Sequence, residues 1–377
     1  MSGEGRDGAE REPTGEEEGR GGDDGPRGSL TSGPACPVPL REEERVQLGH
    51  GSGGKMSAAL VRERFLPLFD DPTLGRLTDA AVVPLSGAEL ALSTDTFVVD
   101  PLEFPGGDIG SLAIHGTVND VAMMGARPRY LSVGFVLEEG LSFELLDRIV
   151  ASMASAARAA GVAIVAGDTK VVERGKADGL YVNTTGVGEM DPDFRPDPRR
   201  CAEGDAILVS GPLGRHGIAV MAAREDLGLA SDVRSDSAAL HVLVDRLREE
   251  VGADVHVLRD ATRGGLASAL NEIARDAGVG MRLEDHAIPV PPAVRAACEV
   301  LGLDPLYVAN EGVLVATVAA EAEERALQAL RSHPTGSGAA SVGRVVPDHP
   351  GMVAVRTGLG GTRVVDMLPG DQLPRIC

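Results

Sequence analysis

Residues 191–200 read D-P-D-F-R-P-D-P-R-R, three prolines in ten residues near the middle of a 377-residue chain. Proline has no backbone N–H, so such a stretch continues neither a helix nor a central strand, and its charges keep it at the surface. It is therefore read as a connection between two structured units, which the length also permits. On its N-terminal side the patterning predicts strands at 88–95 and 97–99, a small-residue helix at 109–124 closed by Gly125, and a strand at 131–137. An amphipathic helix follows at 144–160, with Leu145, Leu146, Ile149, Val150, Met153 and Ala157 on one side, then strands at 162–166 and 180–187. The second unit predicts a strand at 206–210, a helix at 218–224, apolar segments at 241–251 and 255–259, and a helix at 266–277. A strand at 313–318 and a helix at 320–331 close it. Strands mixed with helices in both halves indicate an α+β fold of two domains.

Composition excludes several classes. A net charge of −21 argues against nucleic acid and against anionic membranes as partners. With no Trp, three Tyr and seven Phe, the stacking platforms of single-strand binders are missing. No apolar run approaches a membrane span, and the N-terminus lacks a signal pattern. Cys36, Cys201, Cys298 and Cys377 are widely spaced and form no C-x-x-C pair, so neither a zinc knuckle nor a disulfide framework is supported. These features predict a reduced, cytoplasmic protein. Residues 1–45 carry 12 acids and 6 bases and almost no apolar side chains, the pattern of a disordered acidic tail.

Chemistry concentrates in glycine loops, aspartates and the last residue. The loop G-H-G-S-G-G-K-M at 49–56 falls one residue short of a P-loop, because Met56 stands where the Mg²⁺-binding hydroxyl belongs. That fold is rejected, yet the backbone amides of Gly51, Gly53 and Gly54 can still approach an anion, with His50 beside them. Asp79, Asp95, Asp168 and Asp260 sit at expected strand ends, where a lone Asp is usually a turn former. Asp120 differs: an Asp within a small-residue helix is costly unless something pairs with it. Several carboxylates flanked by glycine loops suit Mg²⁺ holding a polyphosphate. Gly264, ahead of the 266–277 helix, adds a helix N-terminus for an anion. Among 36 basic residues only Lys55, Lys170 and Lys176 are lysines, and Lys170 follows Asp168 and Thr169. Lysine can exchange a proton where arginine cannot. Cys377 places a thiol on the terminal residue, where it can travel between sites.

Together these segments resemble the HypE family of hydrogenase maturation factors, within the aminoimidazole ribonucleotide synthetase and selenophosphate synthetase superfamily. The resemblance runs from about Val46 to Cys377. It is carried by the 49–56 loop, S-T-D at 93–95, D-P at 100–101 through F-P-G-G-D-I-G at 104–110, and G-T-V-N-D at 116–120. Further segments are M-M-G-A-R-P at 123–128, G-D-T-K-V-V at 167–172, Asp260 with T-R-G-G at 262–265, A-N-E-G at 309–312, and the ending P-R-I-C. Relatives often show a doubled Asp where this chain has Thr78-Asp79.

The resemblance implies an N-terminal mixed-sheet half-barrel that dimerises (46–195, ATP-binding), a C-terminal α/β sandwich (196–347) and a segment 348–377 ending in a mobile Cys arm. It implies ATP and Mg²⁺, with Asp79, Asp95, Asp120 and Asp260 on metal and His50, Gly51, Gly53, Gly54, Asn119, Asp120, Asp168, Thr169 and Gly264 on ATP. Cys377 would receive a carbamoyl group from the carbamoyltransferase HypF. ATP would then drive dehydration to a thiocyanate, with Glu311 and Lys170 as bases, and the cyanide would pass to iron on a HypC–HypD scaffold. Two other readings compete. A selenophosphate synthetase or another small-molecule kinase of the superfamily would use the same ATP site, but selenide chemistry wants a Cys in the glycine loop and residues 46–60 contain none. A non-catalytic scaffold with a tail thiol leaves the aspartates and Lys170 unexplained.

Overall fold

A computed structural model describes residues 54–377, apart from 70–71, 86, 226–231, 359, 369, 371–372 and 374. The expected acidic tail, and His50, Gly51 and Gly53, lie outside the described residues. The chain enters through short helices α1 (Lys55–Leu60) and α2 (Leu66–Phe69), then strands β1 (Ala81–Leu85) and β2 (Ala88–Phe97). A small ribbon, β3 (Glu103–Phe104) and β4 (Gly107–Asp108), leads into α3 (Ile109–Met123). The remaining elements of this half are β5 (Ala126–Glu138), α4 (Phe143–Ala159), β6 (Ala163–Val172) and β7 (Leu180–Met190). Its sheet has the order β1-β2-β7-β5-β6. β5 and β6 are parallel and joined through α4, while the other pairs are antiparallel.

Helix α3 begins at a capping box in which Asp108 accepts the Ser111 amide and Ser111 reaches back to the Asp108 amide. It is apolar nearly all round because it is covered on every side: by β2, β5 and β7, by α4, and by elements of the second half. Glycines in β7 permit this close approach. A Cβ on Gly188 would stand 2.3 Å from Val121 Cγ1, and one on Gly186 would stand 2.7 Å from Thr117 Cγ2. That contact fixes where the polar residues of α3 emerge.

The second half contains β8 (Ala206–Val209), α5 (Arg215–Glu225), α6 (His241–Glu250), β9 (Val255–Asp260), α7 (Gly265–Ala277) and β10 (Gly280–Glu284). It continues with α8 (Pro292–Leu301), β11 (Leu314–Val318), α9 (Glu323–Arg331), β12 (Ala340–Val346), β13 (Val353–Arg356) and β14 (Thr362–Val365). Its sheet has the order β14-β13-β10-β12-β8-β11-β9, mixed because β10 and β13 are parallel. β8 and β11 are buried at every position, as inner strands covered on both faces must be, which explains their unbroken apolar runs. One apolar cluster lies on the α7 side of this sheet and another on the α6 and α9 side. A third joins the two halves, combining Leu112, Ile114 and Ile149 with Ile218, Val294, Val308, Leu373 and Ile376.

Two sequence expectations change here. The strand expected at 162–166 runs on to Val172, so Asp168 lies within a strand and not at its end. β13 and β14 fall inside 348–377, so much of the segment expected to carry the arm is sheet.

Candidate active site at the joint between the two sheets

Three aspartates from distant parts of the sequence converge at the joint. Asp79 precedes β1, Asp120 occupies the last turn of α3, and Asp260 ends β9. One carboxylate oxygen from each lies within 4.8 Å of the others. Asp95, on the α3 face of β2, accepts a hydrogen bond from Thr117 Oγ1 at 3.1 Å and lines the same cavity of about 230 Å³. Ser93 Oγ donates to Asp120 Oδ2 at 2.6 Å. Arg259 reaches Asp79 Oδ1 at 3.1 Å and also pairs with Glu272. Thr78 does not join the cluster, because its hydroxyl is spent on the Ala80 carbonyl at 2.9 Å.

The cavity is under electrostatic load. Burial pushes the Asp260 carboxyl up to about 8, with the Asp79 charge adding to it, and burial pushes Asp79 up to about 6 against the opposing pull of Arg259. Asp120 is raised well above the ordinary carboxylate range, first by burial and then by the charges of Asp95, Asp260 and Asp79. Asp260 Oδ2 is buried with no hydrogen-bond partner among the described residues. Clustered carboxylates with an unmatched oxygen are relieved by a hard divalent cation, and Asp79, Asp120 and Asp260 supply the oxygen donors it prefers.

An anion-accepting corner adjoins them. Gly264 caps α7 at φ +75°, and a Cβ there would stand 2.1 Å from Ser268 Oγ. That hydroxyl is itself buried without a partner among the described residues. A helix N-terminus, an open glycine backbone and a spare hydroxyl meet at one point, which suits a phosphate oxygen.

The C-terminal tail closes the site. Leu373 and Ile376 are buried in the shared cluster, and burial of each contributes about 1.5–3 kcal/mol. The main chain of 375–377 lies along residues 98–100: Val98 N donates to a carboxylate oxygen of Cys377 and Asp100 N to the Arg375 carbonyl, both at 3.2 Å. Leu373 and Ile376 also form one wall of a small cavity whose other walls include Gly54, Arg263, Gly264, Ser268 and Leu368. Cys377 is half-buried. Arg263 is held above its ordinary pKa first by the charge at Cys377, then by those of Asp95, Glu311 and Asp120. The terminal residue is thus within electrostatic reach of the acid cavity.

The chain matches the family described as AIR synthase related protein over residues 77–190 for its N-terminal domain and 202–355 for its C-terminal domain. It is 54% identical over 334 residues to a carbamoyl dehydratase HypE of Cupriavidus necator, covering 88% of this chain and 95% of that one. The corresponding protein of Escherichia coli K12 is 49% identical over 338 residues, covering 88% and 99%. This chain belongs to the HypE family. Among solved HypE structures, one in complex with ATP superposes with a TM-score of 0.74 at 53% identity, covering 88% of this chain and all of that one. A HypE–HypF complex superposes at 0.78 with 44% identity, covering 82% and 100%.

The remaining expected residues of this HypE-family chain divide sharply. Glu311, just ahead of β11, is 2% exposed, and its pKa is raised well above the ordinary range by burial and then by Asp260 and Asp236. Its Oε1 has no partner among the described residues. Asn119 spends its amide on main chain, accepting from Leu240 N at 2.7 Å and donating to the Ala238 carbonyl at 3.1 Å. It therefore ties α3 to the 238–240 turn, where a direct nucleotide contact was expected. Asp168, Thr169 and Lys170 are not brought to the acid cavity of their own chain. Asp168 pairs with Gly134, Gly134 with Asn183, and Asn183 with Thr96. Three strand spacings, about 14 Å, separate β6 from β2. The alternation also puts Asp168 and Lys170 on the face opposite Asp95. There Lys170 Nζ meets Asp168 Oδ2 at 2.5 Å, both exposed.

Sequence reasoning missed Arg259, Glu272, Ser93, Ser268 and Asp236. Arg259 adjoins Asp260 and could have been found from that position. Asp236 accepts the Glu311 amide at 3.2 Å and is raised to about 6, chiefly by burial. In sequence it stands between two serines and looks like loop.

Proposed function

We propose that this chain carries a carbamoyl group on Cys377 and dehydrates it to a thiocyanate with ATP, supplying cyanide for the iron of a [NiFe]-hydrogenase. The observation that carries the reading is the docked C-terminal tail, whose terminal residue acts through its charge on Arg263, a residue that lines the acid cavity. The thiocarboxamide oxygen takes the terminal phosphoryl group of ATP and one N–H proton leaves. Loss of the second N–H proton then expels phosphate and leaves S–C≡N. Glu311, buried and raised in pKa, is suited to accept one of these protons. The Gly264–Ser268 corner accepts phosphate oxygens. Asp79, Asp120 and Asp260 would hold Mg²⁺, with Asp95 in support, and that ion would neutralise charge developing on the transferred phosphate.

Lys170 reaches such a site only from a second copy of the chain. An exposed ten-residue edge strand with Ile164, Val165 and Val171 on the surface supports a homodimer that places Lys170, Asp168 and Thr169 of one copy toward the ATP of the other. The carbamoyl donor is a HypF-type transferase, and the recipient of cyanide is iron on a HypC–HypD complex. Cys201, Cys298 and Cys377, none of them in a disulfide, suit the reducing cytoplasm, and no helix among the described residues is long and apolar enough to cross a membrane. The test incubates the protein with HypF, carbamoyl phosphate, ATP and Mg²⁺ and weighs the C-terminal peptide. A carbamoylated peptide that loses one water on addition of ATP supports the reading. An unmodified thiol, or a carbamoyl adduct stable to ATP, refutes it.

A further inference from the structure

Three successive main-chain oxygens at the end of the chain are each gripped by a donor. The Arg375 carbonyl accepts from Asp100 N and from Arg224 Nη2 at 2.8 Å, the Ile376 carbonyl from His216 Nε2 at 2.9 Å, and a carboxylate oxygen of Cys377 from Val98 N. Two of these donors are side chains on α5 that the reaction does not use. We propose that His216 and Arg224 are positioning residues: a clamp that holds the tail main chain so that the sulfur of Cys377 is presented to the ATP site. This inference rests on the carrier role of Cys377 proposed above.

The chemistry of His216 is set by its neighbours. The ring is fully buried, with the Phe104 ring perpendicular to it at 5.4 Å between centroids. A carbonyl oxygen only accepts, so Nε2 must carry the hydrogen. Nδ1 must then accept, and Ser235 Oγ stands 2.8 Å away to donate. Ser235 Oγ is free to donate because its acceptor side takes the Ser237 amide at 3.0 Å, and the Ser235 backbone is pinned by its own amide to the Pro105 carbonyl at 2.7 Å. Burial holds the imidazole neutral, at about 4, which is the state this relay requires. Arg224 is equally committed. Its guanidinium also donates to the Asp100 carbonyl, at 2.7 Å from Nη2 and 3.0 Å from Nε, and so ties the tail to the segment it lies on.

All these bonds end on main-chain oxygens, none on the sulfur. The clamp therefore grips the free thiol, the thiocarboxamide and the thiocyanate alike, and it specifies position without reading the chemical state of the sulfur. A docking site that recognised the carbamoyl group itself would behave differently, holding the loaded tail and releasing the others.

The test measures alkylation of Cys377 by iodoacetamide in the full-length protein, read by mass spectrometry, with buried Cys201 and Cys298 as reporters of an intact fold. His216→Phe and Arg224→Gln should each speed Cys377 labelling about tenfold, since a tail carbonyl loses its side-chain donor: phenylalanine has none, and a glutamine amide at 224 ends where Nε of Arg224 lies, short of the Arg375 carbonyl. His216→Gln, which keeps an N–H, should stay within about twofold of wild type. After loading by HypF, the first two variants should show a dehydration rate lowered about tenfold with KM for ATP unchanged, because the tail is mispositioned and ATP binding is not touched. If neither His216→Phe nor Arg224→Gln speeds labelling, the clamp is wrong. Faster labelling with wild-type dehydration shows that the clamp does not position the sulfur, which also overturns the proposal. Should Cys201 or Cys298 become reactive in His216→Phe, Arg224→Gln decides alone. Labelling needs neither ATP nor a carbamoyl donor, so a wild-type protein that fails to dehydrate would sink the functional reading and leave the clamp to be judged separately.

Discussion

The acid cavity and the β6 edge carry the same kinds of residue in opposite states. In the cavity, carboxylates are crowded, raised in pKa and short of partners, and Asp260 Oδ2 has none among the described residues. On β6, Asp168 and Lys170 satisfy each other in solvent, and Asp168 is lowered by its hydrogen bond to that lysine. Neighbouring buried like charges cost free energy that a bound ion must offset, whereas an exposed ion pair costs almost nothing and stabilises little. The cavity is thus unfinished without a ligand. The edge is unfinished only if a second chain covers it.

The contrast can be broken by mutation. Asp260→Asn should lower ATP-dependent dehydration by about 10²–10³-fold, and it should raise the melting temperature of the cation-free protein by removing a buried like charge. Kinetics and calorimetry on one sample decide it, and a lower melting point would mean that the carboxylate is paired in a way the structure does not show. Lys170→Ala should leave the melting temperature unchanged but suppress dehydration. Mixing the two inactive variants should restore about a quarter of wild-type sites if the copies exchange, since half the dimers would pair one intact cavity with one intact lysine. No recovery on mixing would place Lys170 outside the site.

A pH series sharpens the comparison further. Without cation, burial lifts the Asp79 and Asp260 carboxyls to about 6 and about 8 in the fold, against an ordinary value of 3.8. A raised carboxyl favours the folded state when protonated, so its contribution is fully present below about pH 4 and is lost as pH rises through 6 and 8. Saturating Mg²⁺ should therefore raise the melting temperature more at pH 8.5 than at pH 5.5. Equal increments at both would show that the three aspartates are not its ligands. The smallest effect belongs to Thr78→Ala, whose hydroxyl bonds only a backbone carbonyl, and it should change Mg²⁺ dependence by less than about twofold.

How far this was legible in the sequence depended on whether the signal was local. Helices α3 and α4 were readable because their caps and glycine stops lie next to them in the chain. β1 was missed: Pro84 argues against a strand, yet β1 is an edge strand and tolerates it. β12, β13 and β14 lie in a stretch where turns outnumber apolar runs, and their place is set by pairing with distant strands. Asp120 was legible because it lies inside an apolar helix, where an acid is out of place, and Asp260 because Gly264 and Gly265 follow it ahead of a helix. Asp79 and Asp95 have no glycine neighbour and gained their role from the resemblance. Asp236 and His216 carry no such mark. What distinguishes them is burial, a property of the assembled fold.

Leu373 and Ile376 sit in the same apolar cluster that joins the two halves. A tail that leaves to meet another protein therefore withdraws two plugs from the hinge of its own molecule. At about 1.5–3 kcal/mol for each side chain, the withdrawn state is outnumbered by roughly 10²–10⁴ to one. A carbamoyl donor waiting for that rare state would be slow. A donor that offers the emerging leucine and isoleucine an apolar groove of its own would recover most of the difference, so the partner's affinity for this tail should depend on residues 373 and 376 as much as on the thiol it modifies.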